Sequence, residues 1–246
     1  MELIVINTYL DIAKDLITRV RDEEGHKIEL AGKKMADALE QGKLVHAFGG
    51  HLNLYPQELF YRAGGIVPIN PIMPPALIAQ PGSHLYQKHL NRDENFAKMM
   101  VAQQNLNKGD ILVVASIAGK TLTAIELAKT AQEKGVFVIA IQSIPFSSQV
   151  ESGHSSGKLV GDYADVVIDC KAPYGDAVLD LGNGKKAAAI SSVVGFSIAQ
   201  ALATQAVCEL GEREITPPVY VSSNLDKGDA INKRHLEKYH GVVNFL

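Results

Sequence analysis

The chain has 246 residues, 46% of them hydrophobic and 21% charged, which fits one large α/β domain or two small ones and excludes disorder or a fibre as a whole-chain reading. Its formal net charge is −3 with acidic and basic residues mixed, so nothing supplies the positive field that general nucleic-acid binding needs. The longest apolar runs are strand-sized, and Glu2, Asp11 and Lys14 stand where a signal peptide would be apolar. The expectation is therefore a cytoplasmic protein with no membrane partner.

In chain order, Leu3, Ile6, Leu10, Ala13, Ile17 and Val20 recur at spacings of three and four and predict a helix over residues 3–20. A second helix is expected from Ile28 to Gln41, stopped by Gly42. Residues 1–42 then read as a helical pair, part of the same unit as an α/β domain over 43–246. Short β-branched runs at 43–48, 65–69, 110–116, 136–141 and 164–169 read as strands buried on both faces. A helix is expected from Thr121 to Lys134, and another at Asn91, with Glu94 three residues on as a capping box. Strand and helix alternate, which predicts a doubly wound, mainly parallel five-stranded sheet flanked by helices and preceded by two N-terminal helices.

Three other segments stand apart from that alternation. Pro68 to Pro81 reads as a long irregular connection. Ala187 to Leu210 is apolar enough for a central or interface helix and, with its serines, too polar to span a membrane. Pro217 and Pro218 introduce a last strand, VYVSS. Cys170 and Cys208 are the only cysteines and are expected to be inert core thiols in a reducing compartment.

In doubly wound sheets ligands bind beyond the carboxyl ends of the strands, so the loops there are the candidates. After the first strand come Gly49, Gly50, His51, Leu52 and Asn53, then a helix with Pro56 in its first turn. Glycines let backbone N–H groups approach an anion at a helix start, although the same residues would also make a tight turn with no ligand. After the third strand the chain reads Ser116-Ile117-Ala118-Gly119-Lys120-Thr121. A nucleotide P-loop fits poorly, because the earlier glycine it requires would fall at Val114. Two hydroxyls, the Gly119 backbone and the Lys120 ammonium at a helix start suit a single phosphate; the plain alternative is a strand end and a helix cap. Glu58 and Arg62 are four apart, the spacing of a surface ion pair, but a carboxylate near a phosphate turn can also move a proton between adjacent sugar carbons. His84 and His89, and His235 and His240, are five apart, which does not set two metal ligands on one helix face, and no metal site is expected.

The string ELFYRAGG at 58–65, the Ser-x-x-Gly-x-Thr unit after the strand at 111, the stretch SGHSSGKLVGDYADVVIDCKAPYGDA and PPVYVSSN together resemble the sugar isomerase (SIS) domain family. Within it they resemble a bacterial branch related to phosphoheptose isomerases, from about Leu3 to Asn232. The resemblance implies a Rossmann-like parallel sheet, phosphosugar ligands, no cofactor, and homodimers or homotetramers with sites near subunit interfaces. It implies that Glu58 stands where those isomerases have their catalytic base. Gly49, Gly50, Asn53, Arg62, Ser116, Gly119, Lys120, Thr121 and Ser143 are the expected sugar-phosphate contacts, with His51 and His154 as further catalytic candidates. The chain also departs from the family. Leu52 and Ala118 replace serines or other hydroxyls, each worth about 1.5–3 kcal/mol if it bonded a phosphate. The late-helix histidine of the isomerases has no counterpart between Ala187 and Leu210, which leaves His51, His84 or His154 for its proton-transfer role. Three functions are therefore weighed: an aldose–ketose sugar-phosphate isomerase, a non-catalytic phosphosugar sensor, and a lyase resembling muramic acid phosphate etherases.

Overall fold

In a computed structural model, which describes residues 2–50 and 53–246 and side chains from residue 8 onward, α1 is one unbroken helix, Glu2–Glu40. The sequence predicts two helices here because RDEEGHK at 21–27 is polar and contains Gly25. The helix continues because those polar groups are engaged. Glu24 is buried, accepts from Lys171 Nζ at 2.8 Å and pairs with Lys27 at 2.7 Å. Lys171 also reaches Glu23 at 2.9 Å and Asp169 at 3.3 Å. Burial alone would raise the Glu24 pKa, but hydrogen bonds from Lys171, Lys27 and the Asp169 N–H hold the carboxyl below its ordinary value. The buried stripe is also phased differently from the expected one: Ala13, Leu16 and Val20 enter the core, whereas Leu10 and Ile17 are exposed.

Five strands, β1 (Val45–Gly49), β2 (Ile69–Pro71), β3 (Ile111–Ala115), β4 (Phe137–Gln142) and β5 (Val166–Asp169), form a parallel sheet in the order β2-β1-β3-β4-β5. Strand alternation divides the core into two layers. Val113, Ala115, Ile139 and Ile141 face α1 and α7 (Ser191–Glu212), while Leu112, Val114, Val138 and Ala140 face α4 (Glu94–Ala102) and α5 (Leu122–Glu133). The sheet is therefore buried on both sides, as the apolar runs predict. β2 pairs from Ile69 rather than 65, since Pro68 has no N–H to give to a ladder. The remaining helices are the short α2 (Leu54–Leu59), α3 (Gln87–Leu90) and α6 (Ile144–Ser147) and, near the C-terminus, the longer α8 (Gly228–Tyr239).

Four local expectations fail for identifiable reasons. The helix expected from Ala187 starts at Ser191, because β6 (Ala177–Gly182) and β7 (Lys185–Ala189) form a hairpin around Asn183-Gly184, both at positive φ. The α4 cap is Asp93, whose carboxylate accepts from Asn95 N and Phe96 N, while Asn91 closes α3. VYVSS is not a strand: Val219 makes one bridge to Ile66, and the Asn232 amide takes both backbone groups of Val221. The fourth concerns composition, because α7 is long and apolar enough to cross a membrane by that test alone. Packing decides instead, with Val194, Ile198, Leu202, Ala206 and Leu210 in the core against the sheet and α1. Of the thiols, burial pushes Cys170 up to about 12, whereas Cys208 is exposed rather than in the core.

Candidate functional site

Leaving β1 the chain pairs first with β2 on one side and then with β3 on the other, so a crevice opens between β1 and β3 at their carboxyl ends. A cavity of about 650 Å³ lies there. Its walls are Gly49, Gly50 and Asn53 from the first turn, Ser116 to Ala118 and Thr121 from the second, and Asp176, Ser191 and Ser192 at the base of the hairpin and the start of α7. The segment between β2 and α4 closes another side with Ser83, His84, Gln87, Lys88 and Asn91.

The first turn depends on close backbone approach. Gly49 has φ +97°, and a Cβ there would meet the Ala115 carbonyl oxygen at 2.2 Å. Its N–H donates to Asn53 Oδ1 at 2.9 Å, while the Gly50 N–H donates to Ala115 O at 2.7 Å. Asn53 is only 3% exposed and left-handed at φ 55°, a conformation asparagine tolerates. Since Oδ1 accepts from Gly49, Nδ2 is the remaining donor, and it has no partner among the described residues. An unpaired buried donor costs about 1–3 kcal/mol, a cost that a ligand oxygen would remove.

In the second turn Ser116 Oγ lies 3.5 Å from Thr121 Oγ1, a long contact that leaves both hydroxyls able to reorient. Thr121 is the N-cap of α5 but its side chain caps nothing. The Leu122 N–H and the Thr123 hydroxyl are taken by Asn91, at 3.2 and 3.1 Å. Gly119, at φ +71°, shapes the turn from behind, where a Cβ would meet Gln142 Oε1 at 2.7 Å. The turn thus sets two hydroxyls at the positive end of a 12-residue helix.

Asp176 is the carboxylate of the cavity wall, yet its acceptor capacity is engaged: it takes Ser191 N at 2.7 Å, Ser191 Oγ at 2.9 Å and Ile190 N at 3.2 Å. It therefore caps α7. Tyr55 O–H donates to Ser191 O at 3.3 Å, and burial raises the phenol pKa, which keeps the proton in place.

Of the residues singled out from the sequence, Gly49, Gly50, Asn53, Ser116 and Thr121 meet at this cavity, as does His84. His51 and Leu52 lie outside the described residues. Lys120 is exposed and does not line the cavity. Neither do Glu58 and Arg62, which form an ion pair with each other. Glu58 Oε1 also accepts from Gln200 Nε2 at 2.9 Å, so α7 does send a polar group to the glutamate, an amide rather than a histidine. The only signal for Gln200 was an isolated polar residue in an apolar helix. Ser143 is fully buried and caps α6, accepting from Phe146 N at 3.1 Å and donating to Ala172 O. His154 is 5% exposed and away from the cavity, its Nε2 2.9 Å from Glu126 Oε2 and its Nδ1 2.8 Å from Ser156 Oγ. Reading the sequence missed the part played by Lys88, Asn91, Asp176, Ser191 and Ser192, because the wall they form is assembled from distant segments.

A doubly wound α/β protein whose switch-point cavity is floored by two small-residue turns is thus defined by fold and site together. The chain belongs to the SIS domain family, whose model matches residues 8–143. It is 37% identical over 244 residues to a UPF0309 protein of Listeria monocytogenes serotype 4b, covering 98% of each chain. A UPF0309 protein of Streptomyces coelicolor is also 37% identical, over 236 residues, 94% of this chain and 93% of the relative. Among solved structures, a phosphoheptose isomerase from Francisella tularensis matches with a TM-score of 0.50 at 20% identity, covering 84% of this chain and 98% of its own. A phosphoheptose isomerase from Neisseria gonorrhoeae matches with a TM-score of 0.52 at 14% identity, covering 86% and 100%. At those identities the structural likeness establishes the fold.

Proposed function

We propose that this protein binds a sugar phosphate in the cavity between β1 and β3. The phosphate sits on the Ser116–Thr121 turn and the sugar hydroxyls run toward Asn53, Ser191 and Ser192. The observation that carries this reading is the buried Asn53 Nδ2, without a partner among the described residues, on a residue that lines the same cavity as the Ser116 and Thr121 hydroxyls. Membership of the SIS family and the likeness to phosphoheptose isomerases support it. The reaction we assign is aldose–ketose isomerisation of the open-chain sugar, with Glu58 moving the proton between C1 and C2. Support for Glu58 comes from its place on α2, the helix that starts at the Asn53 turn, and from the two donors, Arg62 and Gln200, that orient its carboxylate.

The second reading, a sensor without turnover, is favoured by one observation: Glu58 does not line the cavity. One experiment separates the two. Wild-type and Glu58→Gln protein are screened by thermal shift against C5 to C7 sugar phosphates and the corresponding free sugars, and each stabilising compound is followed by NMR. Isomerisation predicts conversion by wild type, and its loss with binding retained in Glu58→Gln. Binding without conversion selects the sensor, and no stabilisation by any phosphorylated sugar overturns both.

A further inference from the structure

The sequence assigns the phosphate's cation to Lys120, and the structure shows another lysine better placed. We infer that Lys88, carried by α3 on the far side of the cavity, is the lysine that contacts the ligand's phosphate, so the connection between β2 and α4 is part of the binding site. The inference rests on the sugar-phosphate reading above and deepens it.

Lys88 and Lys120 are both exposed, and neither has an ion-pair partner among the described residues. Lys88 lines the cavity and Lys120 does not. What holds Lys88 there is a staple between its segment and the phosphate turn. Asn91, three residues on, accepts from the Leu122 N–H through its carbonyl at 3.2 Å and from the Thr123 hydroxyl through Oδ1 at 3.1 Å. Positions three apart share one side of a helical turn, and Asn91 lines the same cavity. Gln87, buried beside it, donates to Ile78 O at 2.8 Å and fixes the segment to its own start. Lys88 is therefore anchored, through Asn91, to the first turn of the helix that receives the phosphate.

Electrostatics point the same way. The hydroxyls of Ser116 and Thr121 and the start of α5 supply dipoles, but a phosphate dianion is held best by a full opposite charge. Asp176 cannot supply it, being anionic and occupied by Ile190 and Ser191. Among the lining residues Lys88 is the lysine, and the His84 imidazole stands four residues earlier on the same wall.

The test is titration of the whole chain with inorganic phosphate and with fructose 6-phosphate, followed by calorimetry and ³¹P NMR, at low and high salt. Lys88→Ala is expected to weaken both ligands about tenfold or more and to flatten the salt dependence, Lys88→Arg to recover most of the loss, and Lys120→Ala to stay within about twofold of wild type. Wild-type affinity in a folded Lys88→Ala, or a larger loss in Lys120→Ala, overturns the assignment and leaves the sugar-phosphate reading intact. If wild type binds both ligands and Ser116→Ala does not weaken them, or if wild type binds neither, the phosphate turn itself is wrong, and the assignment of Lys88 falls with it.

Discussion

Two regions of this chain look alike in sequence and differ in kind in three dimensions. The turns Gly49–Asn53 and Ser116–Thr121 and the loop SGHSSGK at 152–158 are all rich in glycine, serine or histidine. In the loop every serine and histidine side chain has a protein partner. His154 bonds Glu126 and Ser156, Ser152 Oγ accepts from His154 N and donates to Lys158 O, and Ser155 gives both its N–H and its hydroxyl to Glu94. Hydrogen bonds from Lys98 and Ser155 hold the Glu94 carboxyl at about 2. In the turns, by contrast, Asn53 Nδ2 has no partner among the described residues and the Thr121 hydroxyl caps nothing. The difference teaches that residue type does not mark a site. What separates the two is satisfaction: the loop is a network closed on itself, whereas the turns hold a buried donor without a partner among the described residues.

The largest effect expected from this comparison is on stability. His154→Ala leaves the buried Glu126 carboxylate, 6% exposed, with only Lys129 at 3.8 Å, and should cost about 3 kcal/mol in urea unfolding. Phosphate binding by the folded fraction should be unchanged. Lost binding at unchanged stability would put His154 in the site and break the comparison.

Asn53→Asp, unlike His154→Ala, should reach the ligand. The carboxylate can still accept the Gly49 N–H, but it offers no donor and adds negative charge. Burying a carboxylate at a position 3% exposed should itself cost about 1–3 kcal/mol in urea unfolding, while affinity of the folded fraction for a phosphorylated ligand falls by about 1.5–3 kcal/mol in calorimetry. Equal affinity would show that the open donor is not used.

Acid should sharpen the comparison more gently. Burial acts to raise Glu24 and Asp110, but Lys171 and Lys27 on the first, and His46 with the Asn107 and Leu44 N–H groups on the second, hold both below their ordinary values. Carboxyls depressed on folding stabilise the native state fully above their unfolded pKa values, about 4, and that contribution is lost as pH falls through the lower folded values. Urea midpoints measured downward from pH 6 should hold until near pH 4 and then decline. A flat profile down to pH 3 would remove these two scaffold carboxylates from the account.

Much of the architecture was legible because it is written in local periods. Short β-branched runs bounded by turns gave the five strands within a few residues, and the Leu122–Ala131 pattern gave α5. The hairpin β6–β7 was missed although Asn183-Gly184 is a short-range turn signal, because the apolar run from Ala187 drew the reading toward a helix. The break expected in α1 was wrong because nothing local reveals that Lys171, some 147 positions away, neutralises Glu24.

By itself, then, the sequence determined the alternation of strand and helix, the two small-residue turns after β1 and β3, and the family those turns and ELFYRAGG resemble. Each is a property of neighbours along the chain, where sterics, capping and side-chain period act. Tertiary structure alone decided that the Asn53 amide is buried without a donor partner among the described residues, that His154 and Ser143 are consumed by the scaffold, that Gln200 meets Glu58, and that Lys88 rather than Lys120 lines the cavity. Those outcomes depend on which distant groups the folded chain brings within 3 Å or so, the range over which hydrogen bonds form, and no local pattern encodes that distance.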